Sequence, residues 1–144
     1  MSGQASRGSP RQTPVAATSR TSLDQSFDAD SLLGLRSAVV AHAGARAGET
    51  AAEAMVLVAH ELAGNAVRHG GGRGRLRLWE ADGRLCCEVS DSGPGLADPA
   101  RAGATLPAPN APGGRGLWIA RQMADLSIVT SANGTIVTAT VPKA

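Results

Sequence analysis

The twenty-one residues Glu49–His69 contain no proline, keep an apolar side at helical spacing, and are followed at once by Gly70-Gly71-Gly72. A helix of that length rises about 30 Å, so it must lie along something comparably long and bury one side against it. Met55, Val58, Ala59, Leu62 and Ala66 make that side. Past the glycines the period shortens to two. Arg75–Glu80 and Arg84–Ser90 alternate and are joined by Asp82-Gly83, a hairpin signal; Leu126–Ser131 and Thr135–Val141 are joined by Asn133-Gly134, a second one. Upstream, Ser22–Phe27 reads as a first strand, and Asp28-Ala29-Asp30 as the N-cap of a helix over Ser31–Ala43. Gly44–Gly48 is a break, and Leu117–Asp125 a short last helix. The order β-α-α-β-β-loop-α-β-β predicts an α/β (α+β) fold: a two-layer sandwich whose mixed, largely antiparallel sheet carries its helices on one face.

What the long helix packs on is a core with few aromatic residues. Aromatics are 2% of the 144 residues, so Leu, Val, Ile and Ala must fill the interior. Charge is unevenly placed. Residues 1–22 hold Arg7, Arg11 and Arg20 and no acid, or +3, while the remainder holds 11 basic and 12 acidic residues, or −1. A near-neutral folded part excludes a nucleic-acid footprint. Residues 1–21, rich in Ser, Gly, Pro, Thr and Arg, read as a disordered basic tail without the apolar stretch of a secretory signal, leaving 22–144 as one domain. No apolar run approaches a membrane span. Cys86 and Cys87 are neighbours on a strand, so their side chains point to opposite faces and cannot pair. Unpaired cysteines fit a reducing cytoplasm.

Three clusters carry chemistry. On the long helix, Glu61, Asn65 and His69 are spaced by four, so they form one slowly turning polar line along the edge of the apolar stripe. A carboxylate at the border of a core is expensive without a partner or a purpose. Taken alone, the pair is better explained as an exposed Glu and a stray Asn. With a ligand, Asn65 offers an amide oxygen of the hard kind that Mg²⁺ prefers, and Glu61 a base or hydroxyl-orienting group. His60-Glu61-Leu62 superficially resembles a phosphoacceptor box and the start of a zinc-protease motif. Position 64 is Gly, so the second zinc ligand is missing, and His60 reads as a helix residue beside the site.

The second cluster is Asp91-Ser92-Gly93-Pro94-Gly95. Alternation puts Leu85, Cys87, Val89 and Asp91 on the apolar face of their strand, which delivers Asp91 to the inner side at the strand end. There a carboxylate can accept from the exocyclic amine of adenine, and Gly93 and Gly95 admit a flat ring. A plain turn explains the pentapeptide by itself. Thr135 shares a face with Val137, Ala139 and Val141 and stands beside Asp91 if their strands are neighbours. The third cluster, Gly113-Gly114-Arg115-Gly116, opens the helix at Leu117, and a helix start with free N–H groups is an anion site. It is neither a Walker A loop nor a dinucleotide fingerprint. The Pro/Ala/Gly-rich stretch 96–116 before the helix reads as a mobile lid.

These three clusters resemble the N, G1 and G2 boxes of the GHKL superfamily, the histidine-kinase-like ATPases with the Bergerat ATP-binding fold, over residues 22–143. Glu61-Leu62-x-x-Asn65-Ala66-x-x-His69-Gly70 and the Gly114-Arg115-Gly116-Leu117 helix start are similar to the anti-sigma-factor serine/threonine kinase branch. The resemblance implies ATP and Mg²⁺ as ligands. It implies Glu61 as the catalytic base or orienting residue, Asn65 as the Mg²⁺ ligand, and Asp91 as the reader of the adenine amine. Gly93, Gly95 and Thr135 would lie near the base, with Gly114, Arg115, Gly116 and Leu117 around the phosphates and His69 flanking them. It implies a homodimer that sequesters a sigma factor and phosphorylates a serine or threonine on a STAS-domain anti-anti-sigma partner. Two other readings stand beside the kinase: a non-catalytic ATP-gated binding module and the catalytic domain of a histidine kinase. The second lacks a helix pair bearing a phosphoacceptor His.

Overall fold

The computed structural model describes residues 21–99, 101–108 and 115–144. Strand β1 (Thr21–Asp28) leads into a 3-10 turn (Ala29–Ser31) and helix α1 (Leu32–Gly44). Asp28 caps this start as its sequence implied. Its Oδ1 accepts from the N–H groups of Asp30 and Ser31, and Ser31 Oγ accepts from the Asp28 N–H. Helix α2 (Glu49–His69), strands β2 (Arg73–Ala81) and β3 (Arg84–Asp91), helix α3 (Arg115–Met123) and strands β4 (Asp125–Ser131) and β5 (Gly134–Pro142) follow. The last helix therefore starts two residues before the expected Leu117 and stops before Asp125, which already belongs to β4. β1 starts at Thr21, so apart from that residue the expected tail lies outside the described residues.

The sheet order is β1-β2-β3-β5-β4, and all four pairings are antiparallel. Two hairpins make most of it. Asp82 and Gly83 both have positive φ, 53° and 75°, the conformation that a two-residue primed turn needs. The second turn is displaced by one residue from the expected Asn133-Gly134. Ser131 pairs with Gly134, so Ala132 and Asn133 form the loop and Gly134 is already strand. β5 then inserts between β3 and β4, and this places Thr135 opposite Asp91.

The helices share one face. Leu76 and Leu78 of β2, Leu85, Cys87 and Val89 of β3, and Val137, Ala139 and Val141 of β5 form a single buried cluster with Leu35, Val39, Met55, Val58, Leu62 and Leu117 from the three helices. The other face holds a small separate cluster of Trp79 and Cys86 beside Ala81, and an Arg77–Glu88 ion pair at 3.6 Å. The two cysteines are free and lie on opposite faces as their adjacency required, and burial pushes the Cys87 thiol well above its usual range. An exposed bidentate Arg75–Asp24 pair joins β1 to β2 and lowers the Asp24 carboxyl through its hydrogen bond. Among the described residues, no helix is long and apolar enough to cross a membrane.

Gly34 sits inside α1 with nothing within 4 Å of where a Cβ would stand. Gly34→Ala should therefore stabilise the protein by about 0.5–1 kcal/mol, because a helix-interior glycine loses more backbone freedom on folding. Urea unfolding should show a higher midpoint at unchanged slope. An unchanged or lower midpoint would mean that this turn of α1 is not helical in solution.

Candidate functional site

The end of α2 and the end of β3 meet through backbone. α2 closes with the Gly70 N–H donating to Ala66 O at 2.8 Å. A Cβ on Gly93 would lie 2.6 Å from Cα and C of Gly70, and a Cβ on Gly70 would collide with the Asp91 carboxylate. Neither position tolerates a side chain, so the two glycines let helix end and strand end approach closely. Asp91 is half-buried in the angle between them. Its Oδ1 accepts from the Gly93 N–H at 2.9 Å, and among the described residues no hydrogen bond reaches Oδ2.

Around Asp91 the structure assembles a small cavity of about 20 Å³. Its walls are Leu62, Asn65, Ala66, His69, Gly70, Val89, Asp91, Gly95, Leu96, Thr135 and Val137. Five of the residues singled out from the sequence thus share one wall-to-wall space: Asn65 and His69 from α2, Asp91 and Gly95 from the β3 end, and Thr135 from β5. Thr135 is buried and its hydroxyl lies 2.9 Å from that of Thr130. Gly93 does not line the cavity; it fixes the Asp91 carboxylate. The floor is apolar, and one rim is polar.

Glu61 stands apart from this cavity, two turns of α2 before Gly70, at the contact with α3. A Cβ on Gly116 would lie 2.8 Å from Glu61 Oε1. The carboxylate thus rests by the first turn of α3, where the helix dipole is positive. Arg68 reaches the same place. Its guanidinium folds back one turn along α2, with Nη1 3.0 Å from the Cβ position of Gly64 and Nη2 3.8 Å from that of Gly116. Arg68 escaped the sequence reading, although a glycine inside a helix four residues before an arginine is a visible signal of such back-folding. Arg115 is exposed at the head of α3. Leu117 is 4% exposed and belongs to the core, so any ligand contact there falls to its backbone. Gly113 and Gly114 lie outside the described residues.

The stretch read as a mobile lid is anchored over its described first half. The Leu96 N–H donates to Thr130 Oγ1 at 2.9 Å, and Leu96 and Ala102 pack on the core. Arg121 of α3 donates from Nε to Ala102 O at 2.6 Å and from Nη2 to Pro99 O at 3.3 Å. Leu96 walls the cavity, which is far below the roughly 300 Å³ of a small ligand pocket. Asp91 and Thr135 also line a larger open cavity of about 690 Å³ on their other side. Nothing in the local sequence marks Arg121 as the holder of this segment.

No group of three or more His, Cys, Asp or Glu side chains that could hold a metal occurs among the described residues. A cation here would be held by an amide oxygen together with oxygens of a ligand, which suits Mg²⁺ better than Zn²⁺.

The family model described as "Histidine kinase-like ATPase domain" matches residues 26–141. Solved structures with this arrangement include the histidine kinase domain of the Erythrobacter litoralis blue-light activated histidine kinase. It is 24% identical at a TM-score of 0.56, with 78% of this chain and 59% of that chain covered. The blue-light activated kinase from the same organism matches at 21% identity and a TM-score of 0.57, over 81% of this chain and 42% of that one. A mycobacterial sensor histidine kinase matches at 19% and 0.53, over 83% and 97%. The chain thus spans less than two thirds of the first two, and likenesses below 25% identity establish the fold alone. No curated protein matches the chain.

The glycine contact yields a direct test. Gly70→Ala should destabilise the protein by about 1–3 kcal/mol, since the new methyl group must displace either the Asp91 carboxylate or the helix end. Urea unfolding measures it, and wild-type stability would mean that helix end and strand end do not meet as described.

Proposed function

Because the chain belongs to the histidine kinase-like ATPase family, we propose that it is an ATP-binding regulatory protein with serine/threonine kinase activity of the anti-sigma-factor type. The observation that supports the reading is the meeting of Asp91, Thr135, Asn65 and His69 in one cavity, with Glu61 and Arg68 beside the first turn of α3. The donor set suits the ligands. Asp91 has one oxygen occupied by the Gly93 N–H and the other available to an exocyclic amine, which adenine carries and guanine lacks at that edge. Leu62, Ala66, Val89 and Val137 offer apolar contact to a flat base. Gly93 and Gly95 let the backbone of Gly70 and Ser131 approach the strand end closely. Asn65 would hold Mg²⁺ through its amide oxygen. Arg115, Arg68 and the first-turn N–H groups of α3, with Gly114, Gly116 and Leu117 at the helix start and His69 flanking, would hold phosphate oxygens.

Bound together, ATP and Mg²⁺ supply a transferable phosphoryl group. Glu61 would orient an incoming hydroxyl and take its proton. The hydroxyl would come from a serine or threonine of a STAS-domain anti-anti-sigma protein, and the regulated target would be a sigma factor, in the cytoplasm. The small cavity also suits a second reading, in which nucleotide entry moves the Leu96 segment and gates partner binding without transfer.

Asp91→Asn should weaken ATP binding about ten- to a hundredfold, because an amide nitrogen can face the adenine amine with the wrong polarity. Calorimetry on the folded variant measures it, and unchanged affinity would remove Asp91 from the site.

Glu61→Gln separates kinase from gate. ATP affinity should stay close to wild type, while phosphate transfer from labelled ATP to a STAS-domain protein should fall about 10²–10⁴-fold. A wild-type protein that binds ATP and partner together and transfers nothing would replace the kinase with the gated module.

A further inference from the structure

The sheet face turned away from the helices is hollowed at the end where β3 meets β5. Leu76 and Val89 belong to the core on the helix side, so strand alternation sends their neighbours Arg75 and Ser90 to the other face. One row of the ladder crosses all five strands there: Ser26, Arg75, Ser90, Ile136 and Val129 are successive cross-strand partners. Beyond that row Gly134 has no side chain, and Ser92 and Ser131 have short ones. The cavity over these residues is about 690 Å³, within the range of small-molecule sites.

This hollow has a cationic half and an apolar half. Arg73 and Arg75 line it on the β2 side, and Ile136 and the 44% exposed Val129 on the β5 and β4 side. Asp24 holds Arg75 through Nε and Nη2, so Nη1 has no partner among the described residues. Arg73 has no ion pair at all among the described residues. Its cross-strand neighbour is Asp28, whose Oδ1 instead accepts from the N–H groups of Asp30 and Ser31. Farther along the same face, Arg77 is matched by Glu88. Asp91 is the only acid among the described lining residues, and its carboxylate sits at Gly70 and Gly93, toward the helices. The hollow is therefore left with an unmatched positive charge. On β3, between the guanidiniums and the apolar floor, the Ser90 and Ser92 hydroxyls have no hydrogen-bond partner among the described residues.

We propose that this hollow is a second ligand site, for a small organic anion: a phosphate or carboxylate carried on an apolar body. The anionic group meets Arg73 and the unpartnered Nη1 of Arg75, with the Ser90 and Ser92 hydroxyls as further donors. The apolar body lies on Ile136 and Val129. Only β3 separates β2 from β5, so the two contacts are two strand spacings, about 10 Å, apart. A bare inorganic anion fills the first half alone, and a neutral apolar molecule leaves Arg73 unmatched. Asp91 and Thr135 line both this hollow and the small cavity on the helix side, so the two sites lie back to back. None of the groups given to the outer ligand is one given to ATP, so the site stands apart from the kinase reading.

Naphthyl phosphate is the probe, titrated into the full chain without ATP and followed by the NMR signals of labelled Ile and Val methyl groups. Ile136 and Val129 should shift, while Val89 and Val137, which wall the small cavity on the helix side, should not. The dissociation constant should be about 0.1–1 mM, as expected of an open site and a small ligand. Inorganic phosphate and naphthol should each bind at least about tenfold more weakly. Arg73→Gln, at an exposed position, should weaken the probe about tenfold without disturbing the other methyl signals. Ile136→Thr keeps a β-branched residue on the strand and should reduce the probe to the affinity of inorganic phosphate. Inorganic phosphate binding as well as the probe would reduce the hollow to a charged surface and overturn the proposal. Shifts centred on Val89 and Val137, an affinity indifferent to Arg73→Gln, or no binding of the probe would overturn it equally.

Discussion

The candidate site depends on the close backbone approach of Gly70 to Gly93. A helix of twenty-one residues and a strand of eight must end at the same point in space for Asn65 and His69 to face Asp91. Side chains at either glycine would hold the two ends apart by the width of a methyl group or more. The cavity is narrow enough that such a shift would undo it. The Asx turn from Gly93 N–H to Asp91 Oδ1 then sets the carboxylate, so the same glycine that permits the contact also aims the acid.

Around that point the sheet topology supplies the second half of the site. β5 lies next to β3 although a helix and β4 separate them in the chain. Gly134 stands where a side chain would strike the Asp91 carbonyl, which lets β5 begin close to the end of β3. Thr135, buried and paired with the hydroxyl of Thr130, becomes the neighbour of Asp91. Thr130 in turn holds the Leu96 N–H. One threonine therefore links the back wall of the cavity to the segment that closes it.

The segment that walls the cavity is tied to α3. Arg121, from α3, holds the carbonyls of Pro99 and Ala102. The head of the same helix lies against Glu61 and Arg68. Motion of α3 would thus be felt at both the wall of the base cavity and the acid expected to act on a hydroxyl. A ligand that attracts the N-terminus of α3 and one that pushes Leu96 outward would act on one mechanical unit.

Much of the fold was legible because it depends on local chemistry. The Asp28 cap, the glycine stop after His69, the Asp82-Gly83 turn and the alternation of Leu85, Cys87 and Val89 are all set by residues within a few positions of one another. The line Glu61–Asn65–His69 and the inward face of Asp91 followed from helical and strand periods alone. The exact loop of the second hairpin did not, because Gly134 answers to the distant Asp91 carbonyl rather than to its own turn. Nor could local pattern reveal that Arg68 folds back over Gly64 to α3, that Arg121 ties down the segment after Leu96, or that Leu117 is core. Those depend on which elements become neighbours. The sequence by itself determined the elements, their faces and the identity of the polar groups, since these are properties of short stretches of chain. Only the tertiary structure decided that β5 adjoins β3, that the cavity is small, and that Leu33 and Val40 of α1 stay exposed, because each is a relation between surfaces far apart in the chain.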